Sequence, residues 1–217
     1  MKFHKTIGVA VATTFLLAAC SKDGEHIEKY NDGLENMQKA EAPIQEVNKE
    51  MNKLEKEKEK LSKEISGKNI AEVQDKVDQV LDNAKKREKQ LKKEVEAMNH
   101  SKKAFEKAKA ESNKIEDEDD KKEFEDDKKE FDELNKAIEE KNKKHDAFVK
   151  GYQDVINKEK DLFSYFKEDS GSQEEVDKRS KALSDVQKNM QKKVEDYTKA
   201  IRKVQTEKQD VDEIANK

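Results

Sequence analysis

Apolar residues recur every three or four positions through most of this chain, and this spacing limits the folds that it can adopt. Four such series can be followed, and together they extend from Ile27 to Ile214. Residues at this spacing line one side of a helix, so each series predicts a long amphipathic helix and argues against disorder. The chain has 45% charged and 32% apolar residues with one proline, which suits a narrow buried stripe rather than a thick globular core. The pattern therefore predicts an all-α protein.

Breaks in the periodicity divide the chain into four helices of similar length. The predicted helices run roughly over 27–65, 70–114, 121–168 and 173–214. Gly67 follows the first helix at the position of a left-handed cap, and capping boxes begin at Asn69 and Ser172. Pro43 lies inside the first helix, and because proline lacks the backbone donor we expect a kink or short break there.

Near-equal lengths and short connections favour an elongated, antiparallel up-and-down bundle of four helices. The connection at 113–120 is the least certain because it contains neither glycine nor proline, although acidic residues replace apolar ones on the buried stripe there. If the chain stayed helical at this point, one very long central helix would run from 70 to 168. The two terminal helices would then fold back on its halves in a spectrin-like arrangement of three helices, and the sequence leaves this alternative open.

The first 20 residues have the organisation of a secretory signal. Basic residues precede an apolar run of about 13 residues that starts at Ile7 and is too short to span a bilayer. The run ends in Leu17, Ala18, Ala19 and Cys20, which resembles the lipobox of bacterial lipoproteins. In such lipoproteins the cysteine thiol is alkylated by a diacylglyceryl group, the signal is cut before the cysteine, and the new N-terminus is often acylated.

This resemblance predicts three segments: a lipoprotein signal peptide at 1–19, a lipidated tether at 20–26 and a single helical-bundle domain at 27–217. Cys20 is suited to lipidation because a thiol is nucleophilic enough to form the thioether. Each buried methylene contributes about 0.8 kcal/mol, so two or three acyl chains such as palmitate anchor a protein stably. We expect the protein at the outer face of the cytoplasmic membrane, facing the cell wall.

Charge and cysteine content exclude several kinds of site. Cleavage after residue 19 removes Lys2 and Lys5 and no acid, which leaves 45 basic and 51 acidic residues and a net charge of −6. A net acidic chain is not expected to bind nucleic acid, or an anionic wall polymer by overall charge alone. Cys20 is the only cysteine, so disulfides and thiolate metal sites are excluded.

No catalytic constellation is visible, and we expect a non-enzymatic protein without cofactor or metal. None of His26, His100 and His145 belongs to the Glu-x-x-His pair that binds metals in four-helix bundles. His145 lies on the apolar stripe, where a histidine of the bundle interior is the simpler interpretation. The acidic run from Asp117 to Asp120 lacks the spacing and glycine of a calcium-binding loop and is interpreted as a solvated turn.

Two interpretations are open for a concentration of aromatic residues at 162–166. In the first, the aromatic side chains close the end of the bundle. In the second, Phe163 and Tyr165 form a partner-binding pole together with Lys68 and Lys167, directed away from the membrane. Serine at both aromatic positions separates the two interpretations, because only the first expects a loss of folding.

The lipobox is followed by an almost entirely helical body that is rich in lysine and glutamate and extends to Lys217. This combination resembles the YkyA-like lipoproteins of Gram-positive bacteria in length, order of helices and composition. The resemblance implies a protein at the outer face of the cytoplasmic membrane, in a family named for binding to the cell wall and without an established activity. Cys20 is the one functional residue that the resemblance carries over.

The leading functional hypothesis is a membrane-anchored, surface-exposed and non-enzymatic module that binds the cell wall or acts as a spacer. Its predicted partners are the membrane, through diacylglyceryl-Cys20, and peptidoglycan or another wall component. A second hypothesis is a structural coiled-coil rod that self-associates. A third is a metal-binding or enzymatic lipoprotein.

Overall fold

The structure is a computed structural model that describes residues 24–69, 72–115, 122–168 and 172–214. These residues form the helices α1 Gly24–Glu41, α2 Ile44–Ile65, α3 Gln74–Ser112, α4 Lys122–Tyr165 and α5 Gln173–Ile214. The described ranges contain no β-strand, and none of their helices has the length and apolarity needed to cross a bilayer. The prediction of an all-α helical bundle is therefore confirmed.

The first predicted helix is interrupted at Pro43, as the sequence predicts. α1 ends at Glu41 and α2 begins at Ile44, because the proline ring crowds the preceding turn and offers no backbone N–H. After α2 the chain turns at Gly67, whose φ of 73° is the left-handed conformation expected of a glycine cap. Counted as one interrupted helix, α1 and α2 are the first of four long helices.

α1 begins at Gly24, so residues 24–26, which the sequence assigns to the tether, are helical. A polar contact explains the earlier start. His26 Nδ1 lies 2.8 Å from Glu111 Oε2 on α3, which holds the first turn of α1 before the apolar series starts at Ile27. Apolar periodicity does not detect a turn that a polar pair stabilises.

α3 and α4 are separate helices that run antiparallel to each other. α3 ends at Ser112, and residues 113–115 leave the helix. Asn135 Nδ2 on α4 donates to Ser112 Oγ at 2.9 Å, and one helical turn further from the connection Lys109 contacts Glu139. The single helix from 70 to 168 is therefore wrong, and the arrangement with four helices is the one observed.

The described helices form two compact units. Unit 1 comprises residues 44–95 and 146–195, and unit 2 comprises residues 24–43, 96–145 and 196–214. α2 belongs to unit 1 and α1 to unit 2, whereas α3, α4 and α5 contribute a segment to each. Each unit therefore contains segments of four helices.

Unit 2 is packed around Tyr30, whose ring meets Phe131 edge-on with 5.1 Å between the centroids. The buried residues around this pair are Leu34, Met37, Phe105, Ala108, Ile115, Leu134, Ile138 and Val211. α1 approaches α3 closely at Gly33, where a Cβ atom would lie 2.6 Å from Ala108 Cβ. The missing side chain of Gly33 is therefore what permits this close helix contact.

Unit 1 has two apolar clusters, formed mostly by residues of the predicted stripes. The first contains Leu61, Ile65, Val73, Val77, Val80 and Phe163, and the second contains Ala84, Leu91, Tyr152, Val155, Ile156 and Met190. The α5 residues Leu183, Val186 and Val194 are only partly buried against the second cluster. Unit 1 also buries several charged side chains.

Candidate functional site

Unit 1 buries an arginine between two carboxylates. The Arg87 side chain on α3 has no exposed surface, and its Nη1 lies 3.1 Å from Glu55 Oε1 on α2. Its Nη2 contacts Glu159 on α4, and its Nε donates to Asn83 Oδ1 at 2.9 Å. One planar guanidinium thus connects three helices, in a way that the point charge of a lysine would not reproduce.

Lys58 on α2 completes a group that we call the charged cluster, defined as Glu55, Lys58, Arg87 and Glu159. The Lys58 Nζ lies 2.7 Å from Glu55 Oε2 and 3.0 Å from Glu159 Oε1. Tyr152 donates its hydroxyl proton to Glu55 Oε1. The two cations balance the two carboxylates, which satisfies the requirement that buried charges be paired and hydrogen-bonded.

The surroundings of Glu55, Arg87 and Tyr152 shift the pKa of each of these groups away from neutral pH. Burial alone would raise the pKa of Glu55, but Lys58 and Arg87 outweigh burial and hold that pKa below its ordinary value of 4.5. Burial lowers the pKa of Arg87, and Glu159, Tyr152 and Glu55 together more than reverse that effect. Burial and Glu55 raise the pKa of Tyr152 well above 10. Glu55, Arg87 and Tyr152 are therefore not poised for proton transfer near neutral pH.

Apolar periodicity does not predict the charged cluster. It places Glu88 on the stripe between Ala84 and Leu91, whereas the buried residue there is Arg87. Glu88 instead lies at the side of α3, where its Oε1 is 3.2 Å from Lys160 Nζ. The signal that could have found Arg87 is its position three residues after Ala84 and four before Leu91, which is also on the stripe.

Three buried polar residues of unit 2 are joined by a neutral chain of hydrogen bonds. Tyr30 donates its hydroxyl proton to Asn135 Oδ1 at 3.0 Å, and Asn135 Nδ2 donates to Ser112 Oγ. Ser112 in turn donates to the Lys109 carbonyl at 3.0 Å, which closes the C-terminal end of α3. His145 is buried in the same unit, with its ring 5.4 Å from that of Tyr197, as expected of an interior histidine.

The aromatic residues of the predicted partner-binding pole are buried. Phe163 is 7% exposed and belongs to an apolar cluster of unit 1, and Tyr165 is 8% exposed. The Tyr165 hydroxyl accepts a hydrogen bond of 2.7 Å from the Ser172 backbone, and the Arg179 guanidinium lies 4.6 Å from the ring centroid. This packing favours the interpretation in which the two rings close the end of the core.

The other predicted site residues are exposed or lie outside the described residues. Lys68 and Lys167 are exposed, and Lys167 Nζ lies 2.5 Å from Asp78 Oδ1 on α3. In the described ranges, no hydrogen bond or ion pair joins Lys68 to the predicted pole residues. A binding role for these four residues stays a prediction. The lipobox residues Leu17, Ala18, Ala19 and Cys20 precede the part of the chain that the structure describes.

Residues 25–214 match the sequence profile of the YkyA family, whose description reads "Putative cell-wall binding lipoprotein". The chain belongs to this family. Its description supports a lipoprotein at the cell surface with a role at the cell wall, and the resemblance predicted from the sequence is confirmed. A comparison with curated proteins finds no match.

A solved structure has the same fold as this YkyA-family chain. It is the crystal structure of a conserved protein of unknown function from Staphylococcus aureus, with 30% sequence identity and a TM-score of 0.68. The match covers 87% of this chain and 93% of the Staphylococcus chain. The helical bundle is thus also observed experimentally, in a protein whose description adds no activity.

Three carboxylates of this YkyA-family chain lie close enough together to hold a cation. Glu130 on α4 and Glu207 and Asp210 on α5 each place one oxygen within 4.8 Å of the others. Oxygen ligands of this kind suit calcium or magnesium. Partial burial and the neighbouring Glu133 raise the pKa of Glu130, which is the expected effect of crowded carboxylates.

Proposed function

We propose that this chain is a non-enzymatic lipoprotein that is anchored to the outer face of the cytoplasmic membrane through Cys20. The helical bundle binds the cell wall or acts as a spacer between membrane and wall. The observation that carries the proposal is the family match over residues 25–214, directly preceded by the lipobox at Leu17 to Cys20. The family description supports the binding to the cell wall, and the lipobox supports the membrane anchor.

The chemistry of the anchor assigns a role to the first residue of the mature chain. A single acyl chain gives marginal and reversible membrane binding, whereas two or three chains on one cysteine anchor it stably. Cys20 lies only four residues before the start of α1 at Gly24. The bundle is therefore held close to the bilayer from which it extends towards the wall.

The interior of unit 1 supports a role that does not involve catalysis. Glu55 and Glu159 are the kind of facing carboxylates that carry metals in enzymatic four-helix bundles. Here both contact Lys58 and Arg87, which occupy the positions that a metal or a transferable proton would need. The charged cluster thus supports a structural role, in which it holds the helices together, rather than a catalytic role.

Replacement of the proposed lipidation site tests the anchor. We expect Cys20→Ala to remain helical with an unchanged melting temperature, since Cys20 precedes the first helix in sequence, and to be lost from the membrane fraction. The measurements are fractionation of cells and mass spectrometry of the N-terminal peptide, in which wild-type protein carries the mass of the acyl chains. Ser21→Ala is the matched control and should stay in the membrane fraction. Lipid-dependent retention of Cys20→Ala would contradict the proposal.

Sedimentation with purified cell walls tests the second part of the proposal. Wild-type protein in detergent should sediment with the walls and remain in the supernatant without them. Analytical ultracentrifugation of the same sample addresses the alternative of a self-associating rod. Oligomers that grow with concentration, combined with no binding to walls, would favour that alternative.

A further inference from the structure

The segment of α5 that belongs to unit 1 is much less buried than the other helices of that unit. It comprises residues 173–195, and we call it the α5 strap. Met190 is its one fully buried side chain, whereas the described segments of α2, α3 and α4 in unit 1 bury five, seven and seven. In unit 2 the same helix is buried again, at Tyr197, Ala200, Lys208 and Val211. The α5 strap therefore differs from its neighbours in unit 1 and from the rest of its own helix.

The apolar side chains of the α5 strap are only partly covered. Leu183, Val186 and Val194 pack against the second apolar cluster of unit 1 and stay partly exposed, as does Val176 near the start of the helix. Segments with few buried apolar contacts are the ones that open locally at a low cost in free energy. The α5 strap is therefore the part of unit 1 that should open first.

The other three helices of unit 1 are joined to one another without the α5 strap. Among the described residues, the first apolar cluster of unit 1 is formed by α2, α4 and the chain from Val73 to Val80, with no residue of α5. The charged cluster also joins only α2, α3 and α4, through Glu55, Lys58, Arg87 and Glu159. Displacement of the α5 strap would therefore leave three helices held together by apolar contacts and by buried charges.

The start of the α5 strap is attached to α4 by an arginine at the surface. Arg179 forms an ion pair with Asp161, and its guanidinium lies 4.6 Å from the centroid of the Tyr165 ring. The side chains of Arg179 and Asp161 are 24% and 42% exposed. Because water reaches this ion pair, it is weaker than the buried contacts of the charged cluster. Arg179 therefore holds the strap closed by contacts that a modest free energy can break.

We propose that the α5 strap opens from unit 1 as a local unit while α2, α3 and α4 stay packed, and that Arg179 controls how often it opens. Opening uncovers the part of the second apolar cluster that Met190 covers. Unit 1 thus has a closed state with four helices and an open state with three. This motion does not depend on the lipid anchor or on binding to the wall, so its failure would leave the proposed function intact.

Amide hydrogen exchange followed by mass spectrometry tests the motion on the full lipidated protein in detergent. The helical hydrogen bonds must break before an amide exchanges, so fast exchange reports opening and not mere exposure of a side chain. The comparison uses residues 180–195 of the strap and residues 80–95 of α3, which avoids the first turns that fray in any helix. We expect exchange to be at least about tenfold faster in 180–195.

Two results of this comparison would overturn the inference. Equal protection of residues 180–195 and 80–95 would mean that unit 1 opens as a whole. Exchange that is as fast in residues 197–208 as in 180–195 would mean that α5 opens along its entire length. In either case the α5 strap would not be a local unit.

Alanine at Arg179 tests the attachment, with Arg202→Ala as the matched control. Arg202 lies on α5 in unit 2, is exposed, and forms no ion pair within the described ranges. Arg179→Ala removes the ion pair and the contact with the Tyr165 ring, and should speed exchange in 180–195 by about tenfold and leave 80–95 unchanged. Arg202→Ala should change exchange in 180–195 by less than about twofold, since both variants alter helix propensity equally.

Circular dichroism verifies that both arginine variants keep the helix content of the wild type. Equal effects of Arg179→Ala and Arg202→Ala on residues 180–195 would overturn the role of Arg179. An increase in Arg179→Ala that is as large in 80–95 as in 180–195 would overturn local opening, because the change would then have destabilised all of unit 1.

Discussion

The two units have different interiors. Unit 2 has aromatic rings at its centre and links Tyr30, Asn135 and Ser112 through neutral hydrogen bonds. Its buried Lys141 forms a single ion pair, 2.6 Å from Glu41. Unit 1 buries Arg87 and Glu159, at 0% and 2% exposure, within the charged cluster. A chain with few apolar residues can thus complete a bundle either with large rings or with charges that neutralise one another.

The difference concerns specificity more than stability. Apolar side chains on a helix stripe pack acceptably in more than one register, whereas the Arg87 guanidinium contacts Glu55 and Glu159 only when three helices are aligned. Buried polar groups fix the register of helices in some coiled coils in this way. We therefore expect the charged cluster to select one alignment of the helices in unit 1. In unit 2 we expect the shapes of the apolar side chains to select the alignment.

Loss of the arginine should have the largest effect. In Arg87→Met, Glu55 and Glu159 stay buried with only Lys58 to balance them, and removal of one partner from a buried ion pair costs about 3 to 5 kcal/mol. The free energy of unfolding, measured with urea, should fall by that amount. Amide exchange should rise in the unit 1 segments of α2, α3 and α4, and less in unit 2.

A variant without any of the four charges is the control for Arg87→Met. Glu55→Leu, Lys58→Met and Glu159→Leu added to Arg87→Met remove the uncompensated charge, and such replacements are often neutral or stabilising. We expect most of the stability to return while the amide signals of unit 1 broaden, since the register is no longer specified. A combined variant as unstable as Arg87→Met would show that the cluster contributes stability rather than specificity.

Replacing one helical glycine in each unit by alanine tests how closely the helices of that unit pack. We expect these changes to have an effect of intermediate size on the free energy of unfolding. In unit 2, Gly33→Ala would place its Cβ 2.6 Å from Ala108 Cβ and 3.0 Å from Ala108 Cα, so the helices must separate. Overpacking of this kind costs about 1 to 3 kcal/mol. We expect a net loss of about 1 to 2 kcal/mol in urea unfolding, after the better helix propensity of alanine is included.

Gly151→Ala in unit 1 is the matched variant. The new Cβ meets the outer part of the Lys193 side chain and the Met190 Sδ at 3.0 Å, and both are flexible groups that can move. The helix propensity of alanine should then give a gain of up to about 1 kcal/mol. Equal effects of the two changes would contradict the conclusion that the backbones of α1 and α3 are in close contact at Gly33, whereas Gly151 faces movable side chains.

The parts of the fold that follow local rules could be predicted from the sequence. Periodicity predicts the helices, and the missing donor of Pro43 predicts the break between α1 and α2. The left-handed cap at Gly67 follows from the conformational freedom of glycine. Each of these depends on residues within a few positions of one another.

The parts that depend on several helices at once could not be predicted. The spacing of Arg87 from Ala84 and Leu91 permits its burial, but its partners Glu55 and Glu159 are on two other helices and cannot be identified from spacing. Likewise, the burial of Tyr165 depends on Ser172 and on Arg179 of α5.

The smallest expected effect concerns one carboxylate in each unit at acid pH. Glu55 in the charged cluster and Glu111 in unit 2 both have a pKa below the ordinary value of 4.5. For Glu111 the causes are hydrogen bonds from Lys114, at 2.7 Å, and from His26. A lowered folded-state pKa means that both contribute stability above pH 4.5 and lose it as the pH falls through the lowered value.

Salt should change the pKa of the two carboxylates to different extents, because Glu111 lies at the surface and Glu55 is buried among its partners. At about 1 M salt the Debye length is about 3 Å, which screens exposed charges far more than buried ones. Titration of the side-chain carboxyl signals by NMR should then show the pKa of Glu111 returning towards 4.5, while that of Glu55 stays low. A pKa of Glu55 that rises with salt as much as that of Glu111 would mean that water reaches the charged cluster. In that case the charges of unit 1 would behave as a surface network, and they would no longer distinguish its interior from that of unit 2.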